Sequence, residues 1–289
     1  MEVHERRLLS AIAAFLATFL VLWLVFYALV PLLRWSGRRI AHYTAKFALR
    51  FPRAGRFTKP DYLPVFVMLA AGAVVTMVAG DAFEDLAELM HQQSPLLQSI
   101  DTNAHSWAAT HRSAAATMFF VTLTIAGGPV GIAIIDTLAC IWLAMRGRWR
   151  FATYLAVTAI GGALIDLQLK TYFARARPAL AEALRQAHGY SFPSGHAMGS
   201  TVAFCALSYL AMRSFPRTRW KAAALAVAAT LILFVSASRV YLGVHWISDV
   251  GAGIVAGALW VTATTVSYET FRRVSALRAM RTPVSSGAA

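Results

Sequence analysis

Charge is scarce in this chain. Of its 289 residues only 14% are Asp, Glu, Lys or Arg, while 58% are hydrophobic. A soluble domain carries about 25% charged residues, so the shortage excludes an ordinary soluble fold. Cysteine is nearly missing. Cys140 and Cys205 are the two present, both inside apolar runs. That excludes a disulfide framework and a thiolate metal site, and leaves both as packing residues. Alternating strands of about ten residues, which a closed barrel needs, do not occur. There is no internal repeat and no low-complexity domain. The first apolar run, residues 8–33, holds 26 residues without one charge. It is too long for a signal peptide and no small-x-small cleavage site follows it, so it reads as a membrane span.

What is there is a series of such runs. Candidate spans lie at 8–33, 62–80, 115–145, 151–169, 197–212, 220–238 and 246–268. The fold class is therefore all-α, a polytopic membrane helical bundle. The net charge of +14 is a topology signal rather than a nucleic-acid footprint, because Lys and Arg collect in alternate connections. Residues 34–61 hold eight, 146–150 three, 213–221 four and the tail after Phe271 four; residues 81–114 hold one against five Asp/Glu. By the positive-inside rule the basic connections are cytoplasmic, the N-terminus is outside and the C-terminus inside. Arg6 and Arg7 oppose this for the first span, but Glu2 and Glu5 accompany them. The excess charge also suits contact with anionic lipids. Residues 96–113 are too polar to span and read as an amphipathic helix at the outer interface, with Trp107 as its anchor. Three parts are expected: a first span and basic cytoplasmic loop (1–61), a six-span unit (62–270) and a basic tail (271–289).

One face of this oily chain collects polar residues. Lys170 and Arg177 bracket "KTYFARARP"; Ser194, Gly195 and His196 belong to "PSGH"; Arg239, His245 and Asp249 belong to "SRVYLGVHWISD". The topology brings all of them to the outer side from three places in the chain. Insertion scales put a mid-membrane Lys, Arg or Asp at about 2.5–3.5 kcal/mol, less toward the interface. Four could cost on the order of 10 kcal/mol at worst, so the fold must gain something by keeping them. Three fixed cations suit an oxyanion such as phosphate. In "PSGH", Ser194 can cap a helix and Gly195 lets backbone N–H groups approach an anion. His245 and Asp249, four apart, share a helix face, so the carboxylate can orient the imidazole. His245 is then a candidate nucleophile and His196 a candidate general acid.

These motifs resemble those of the type 2 phosphatidic acid phosphatase family, in its bacterial membrane branch, which shares its site with vanadium haloperoxidases. All three are intact, in order, within residues 62–270. The resemblance implies phosphate binding by Lys170, Arg177, Ser194, Gly195 and Arg239, with His245 as nucleophile, His196 as acid and Asp249 as partner of His245. It implies a phosphohistidine intermediate and no metal or other cofactor. The family core has six spans, so the span at 8–33 is an addition. A haloperoxidase is not favoured, since nothing suggests a soluble vanadate enzyme.

The expectation is a lipid-phosphate phosphatase in the cell (inner) membrane, its site facing the periplasm. Candidate substrates are a polyprenyl pyrophosphate, marginally favoured, phosphatidylglycerol phosphate and phosphatidic acid. Membrane lipids are its other partners, and nucleic acid is not one. The alternatives are a lipid phosphotransferase and a non-catalytic lipid-binding or transport module. The remaining polar residues receive plainer readings. Asp166, one turn before Lys170, is expected to pair with it. Arg175 is balanced between substrate contact and solvation. Asp136, inside "AIIDTLAC", is expected to be a structural carboxylate with a partner. His91 and His105 read as interfacial or packing residues. Gly127, Gly128 and Pro129 suggest a bend, and the glycines of "GAGIVAGALW" close helix packing.

Overall fold

The computed structural model describes residues 2–50, 63–178, 183–184 and 188–279. Its regular elements are nine helices, with no strand among the described residues. They are α1 (Glu2–Arg50), α2 (Leu63–His91), α3 (Pro95–Thr110), α4 (Ala114–Ala126), α5 (Pro129–Met145), α6 (Trp149–Phe173), α7 (Gly195–Ser214), α8 (Thr218–Tyr241) and α9 (Ile247–Ala279). The expected all-α bundle is what forms. Local chemistry marks the boundaries. Pro95 and Pro129 open α3 and α5 in the first turn, where a missing N–H costs nothing. The Ser113 side chain accepts from Ala116 N at the start of α4.

Five helices contain a stretch long and apolar enough to cross a membrane: α1, α2, α6, α8 and α9. Together α4 and α5 make a sixth, bent by 47° at the expected Gly127–Gly128–Pro129 break. The bend needs a glycine just after it: a Cβ on Gly131 would lie 2.2 Å from the Ala126 carbonyl oxygen. The remaining expected span, 197–212, falls in α7, which is not among these helices. Protein surrounds α7, since α5, α6, α8 and α9 all pack on it. Such a helix needs no lipid-soluble face, and its Ser200, Thr201 and Ser208 hydroxyls return to carbonyls of the same helix.

Two boundaries differ from expectation. The first helix continues through the basic segment to Arg50, where a loop was expected; residues 51–61 lie outside the described residues. Helix α2 runs on to His91, so Asp81, Glu84, Asp85 and Glu88 extend it beyond its apolar part. Helix α9 likewise continues past 270 to Ala279, and the tail from 280 lies outside the described residues.

The bundle has two chemically distinct ends. Helices α7 and α9 run side by side in the same direction. A Cβ on Gly253 would meet Ser194 O at 2.6 Å, and one on Gly257 would meet Thr201 Cβ at 2.8 Å. The additional helix α1 runs against α8 and α4, through Phe15 on Phe119 and Phe234 and a Trp23 Nε1 bond to Arg219 O. At one end the basic connections meet: Arg148 bonds Ser214, and Glu269 gathers Arg213, Arg272, Arg273 and the Tyr209 hydroxyl. At the other end lie the three motifs, with α3 set across them. As expected of an interfacial helix, α3 leaves Trp107 exposed, and it buries Leu97, Asp101, His105 and Ala108.

Candidate active site

The motif residues meet at the N-terminal ends of α7 and α9. His245 sits in the short connection before α9 and Asp249 in the first turn of that helix. Both are buried, at 2% and 0% exposure. Asp249 Oδ2 lies 3.4 Å from His245 Nδ1 and also accepts from Trp246 N at 2.9 Å and from the Ser191 hydroxyl. The opposite ring nitrogen, Nε2, lies 3.0 Å from Arg177 Nη1. A proton on Nδ1 facing the carboxylate leaves the Nε2 lone pair toward the site. Burial pulls the His245 imidazole down to about 4, with Asp249 opposing and Arg177 and Arg239 adding to the effect. The ring is therefore neutral near pH 7 and keeps that lone pair.

The cations arrive from the ends of two helices and from the loop that follows one of them. Lys170, at the end of α6, donates to Asp166, as expected, and to Pro193 O at 2.9 Å. A lysine has three donors, so one remains for a ligand. Gly195 makes this possible: a Cβ there would lie 2.7 Å from Asp166 Oδ2 and 2.9 Å from Lys170 Nζ. Arg239, buried at the end of α8, donates from Nη1 to Thr124 Oγ1 at 2.7 Å. Arg177 is more heavily engaged than a simple phosphate clamp would be. It binds the carbonyls of His188, Gly189, Tyr190 and Val244 and holds the loop against His245. Ser194 occupies the N-cap of α7, yet its side chain caps nothing. Its Oγ is buried without a hydrogen-bond partner, while its N–H donates to Asp249 O at 2.9 Å. A hydroxyl and the first N–H groups of a helix thus face the same place. His196 lies beside Gly128 of the α4–α5 bend, where a Cβ would come within 3.0 Å of its Nε2. Burial pulls the His196 imidazole well below its usual range, and Arg239, His245, Lys170 and Arg177 lower it further.

Sequence reasoning missed a second layer. Arg175, held between solvent and substrate in expectation, is engaged by two carboxylates. Its Nη1 donates to Asp249 Oδ1 at 2.6 Å and to Ser248 Oγ at 2.7 Å, and its Nη2 to Asp101 Oδ2 at 2.7 Å. Asp101 also accepts from Ser248 N and Oγ. The interfacial helix is thereby tied to the His245 partner. A signal for Asp101 existed: Leu97, Asp101, His105 and Ala108 recur at helical spacing, so the carboxylate lies on the buried face. Asp136 is the other correction. It is buried, no hydrogen bond or ion pair reaches it among the described residues, and its Oδ1 is enclosed without a partner.

The fold and this cluster gather two histidines and three cations at one end of a membrane helical bundle. Residues 147–273, which hold all three motifs, match the PAP2 superfamily model. The chain's class is that of a membrane phosphoric ester hydrolase. Phosphatidylglycerophosphatase B of Bacillus subtilis (strain 168) is 26% identical over 202 residues, covering 70% of this chain and 90% of that protein. The crystal structure of a transmembrane PAP2-type phosphatidylglycerolphosphate phosphatase from Bacillus subtilis superposes with a TM-score of 0.63 at 24% identity. It covers 67% of this chain and 96% of that one. Aquifex aeolicus LpxE aligns at a TM-score of 0.47 and 20% identity, over 57% of this chain and 94% of that one.

Proposed function

We propose that the protein removes phosphate from a membrane lipid through a phosphohistidine on His245. The reading rests on one arrangement: a neutral His245, backed by Asp249, whose Nε2 meets Arg177 at 3.0 Å, with Arg239 near enough to act on the ring. In this reading an incoming phosphoryl oxygen takes over the Arg177 donor and frees Nε2. His196 takes up a proton as the negative phosphate binds beside it; the Nε2 lone pair then attacks phosphorus in line, the bond to the lipid oxygen breaks, and His196 gives that oxygen its proton. Water then attacks the phosphohistidine while His196 takes its proton. Orthophosphate leaves and Nε2 regains its lone pair. The cations, the Ser194 hydroxyl and the helix N–H groups bear the charge that shifts onto the equatorial oxygens. Asp249 holds the Nδ1 proton throughout. Phosphatidylglycerol phosphate ranks first among substrates, because a relative named for that activity aligns over 90% of its length. Phosphatidic acid and polyprenyl pyrophosphate follow.

The test is rapid-quench trapping of labelled phosphoenzyme with a lipid phosphate and with p-nitrophenyl phosphate. His245→Ala should give no label with either. His196→Ala should slow label formation from the lipid by about 10²–10⁴-fold, the usual worth of general acid help, and spare p-nitrophenolate, a leaving group that needs little protonation. Label trapped in His245→Ala would sink the mechanism. Label passing to an added lipid alcohol instead of water would make the protein a phosphotransferase.

A further inference from the structure

Beside the site runs a groove of about 480 Å³ between α5, α6 and α7. It begins at Asp166 and Gly195, which also frame the Lys170 pocket, and passes Gly199 and Val202 into the bundle. Its walls are mostly alkyl: Ile132, Ala133, Ile141, Ala159 and Ile160 among them. Ile141 and Ile160 are 51% and 62% exposed, so the groove opens sideways on the outer surface of the bundle. One carboxyl interrupts this wall. Asp136 lines the groove at 5% exposure, with Oδ1 unpartnered. It stands eight residues along the chain from Gly128, which faces His196, or about two helical turns (~12 Å) from the phosphate site.

An enclosed, unsatisfied carboxyl among alkyl side chains costs free energy. A lipid tail that was hydrocarbon throughout would leave that cost in place. A diacylglycerol phosphate would not, because its ester linkages stand a few bonds from phosphorus and put oxygen where the groove places Asp136. We infer that this groove seats the lipid portion of the substrate and that Asp136, as the protonated acid, is a specificity-determining residue whose carboxyl O–H donates to a glycerol-ester carbonyl oxygen of a diacylglycerol phosphate. The inference rests on reading the adjoining site as a lipid-phosphate hydrolase. It adds a preference for glycerolipid over prenyl substrates and names the residue that sets it. Thr137 and Cys140, also on the groove wall, flank the same position.

Cys140 supplies a readout that does not depend on turnover. The full-length protein in mixed micelles is treated with N-ethylmaleimide, and Cys140 labelling is read by peptide mass mapping with Cys205 as internal reference. Dioleoylphosphatidic acid should protect Cys140 several-fold, and more strongly than a prenyl phosphate of similar length. In parallel, the ratio of kcat/KM for dioleoylphosphatidic acid over the prenyl phosphate should fall about tenfold in Asp136→Leu, the size of one hydrogen bond. Asp136→Asn, which keeps a hydrogen-bonding group, should hold that ratio near the wild-type value. Equal protection by both lipids, or a ratio unmoved in Asp136→Leu, would overturn the role of Asp136. Should Asp136→Leu not fold, the protection experiment and Asp136→Asn still decide. Selective protection without phosphate release would instead overturn the hydrolase reading and leave the groove standing.

Discussion

At the scale of single residues, the least expected feature is the arginine between two carboxylates. Arg175 bonds Asp249 on the oxygen away from His245, so it acts through that carboxylate as a positioning residue. Its guanidinium competes with the imidazole for the charge of Asp249, while Asp101 draws that guanidinium away. The sign of each change follows. Removing the Arg175 charge leaves more of the Asp249 field to His245 and stabilises its imidazolium. The acid limb of kcat/KM, set near 4 by His245, should then move to higher pH in Arg175→Met. Removing the Asp101 charge should move it the other way in Asp101→Asn. Each shift should be up to about one unit, the lower end for a charge a few ångströms away, and the double variant should return toward the wild-type limb. A structural role alone would lower activity without moving the limb in opposite directions. Breaking a buried ion pair also costs about 3–5 kcal/mol, so a lower melting temperature is expected in both single variants. The motif residues were legible because each spacing has a chemical reason. Arg175 was not, since its partners lie 74 positions away in both directions and no local pattern couples them.

At the scale of elements, the motif ends are held together by the parallel pair α7 and α9. Their approach is set by backbone rather than by side chains. Gly253 and Gly257 leave no room for a Cβ against Ser194, Met198 and Thr201, which brings Asp249 within reach of the Ser194 N–H. Gly257→Leu should therefore push the helices apart. Overpacking a close contact costs about 1–3 kcal/mol, and here it should also lengthen the Asp249–Ser194 contact. The expected outcome is lower thermal stability together with a fall in kcat that exceeds the loss of folded protein at assay temperature. Gly80, where a Cβ meets nothing within 4 Å, is the control: Gly80→Ala should leave both unchanged. The glycine packing and the 47° bend were readable from "GAGIVAGALW" and "GGP", because close approach and helix breaking are local properties. The helical continuation of α1 to Arg50 was not. A basic run satisfies a loop and an exposed helix equally well, and charge fixes its side of the membrane without fixing its backbone.

At the scale of the whole molecule, the two ends of the bundle decide which leaflet supplies the substrate. Arg148, Arg213, Arg272 and Arg273 lie at one end, and His196, His245 and Lys170 at the other. Loops rich in Lys and Arg stay cytoplasmic, so the site is expected to face outward. Single cysteines can test this in intact cells, in a background where Cys140 and Cys205 are replaced by alanine. Gln92→Cys stands at the site end, where α2 turns toward α3, and Pro216→Cys stands at the basic end between α7 and α8. Both positions are exposed. A membrane-impermeant maleimide should label Gln92→Cys in whole cells and Pro216→Cys only after permeabilisation. The opposite pattern would place the site on the cytoplasmic side and require the lipid phosphate to come from the inner leaflet. The orientation also bears on the lateral groove. On the proposed reading its carboxyl lies about two helical turns below the site on the bundle flank, so a lipid would enter from the leaflet in which the site lies. An outward-facing site then acts on lipids of the outer leaflet. A substrate made on the cytoplasmic side must cross the membrane before Lys170 and Arg239 can reach its phosphate.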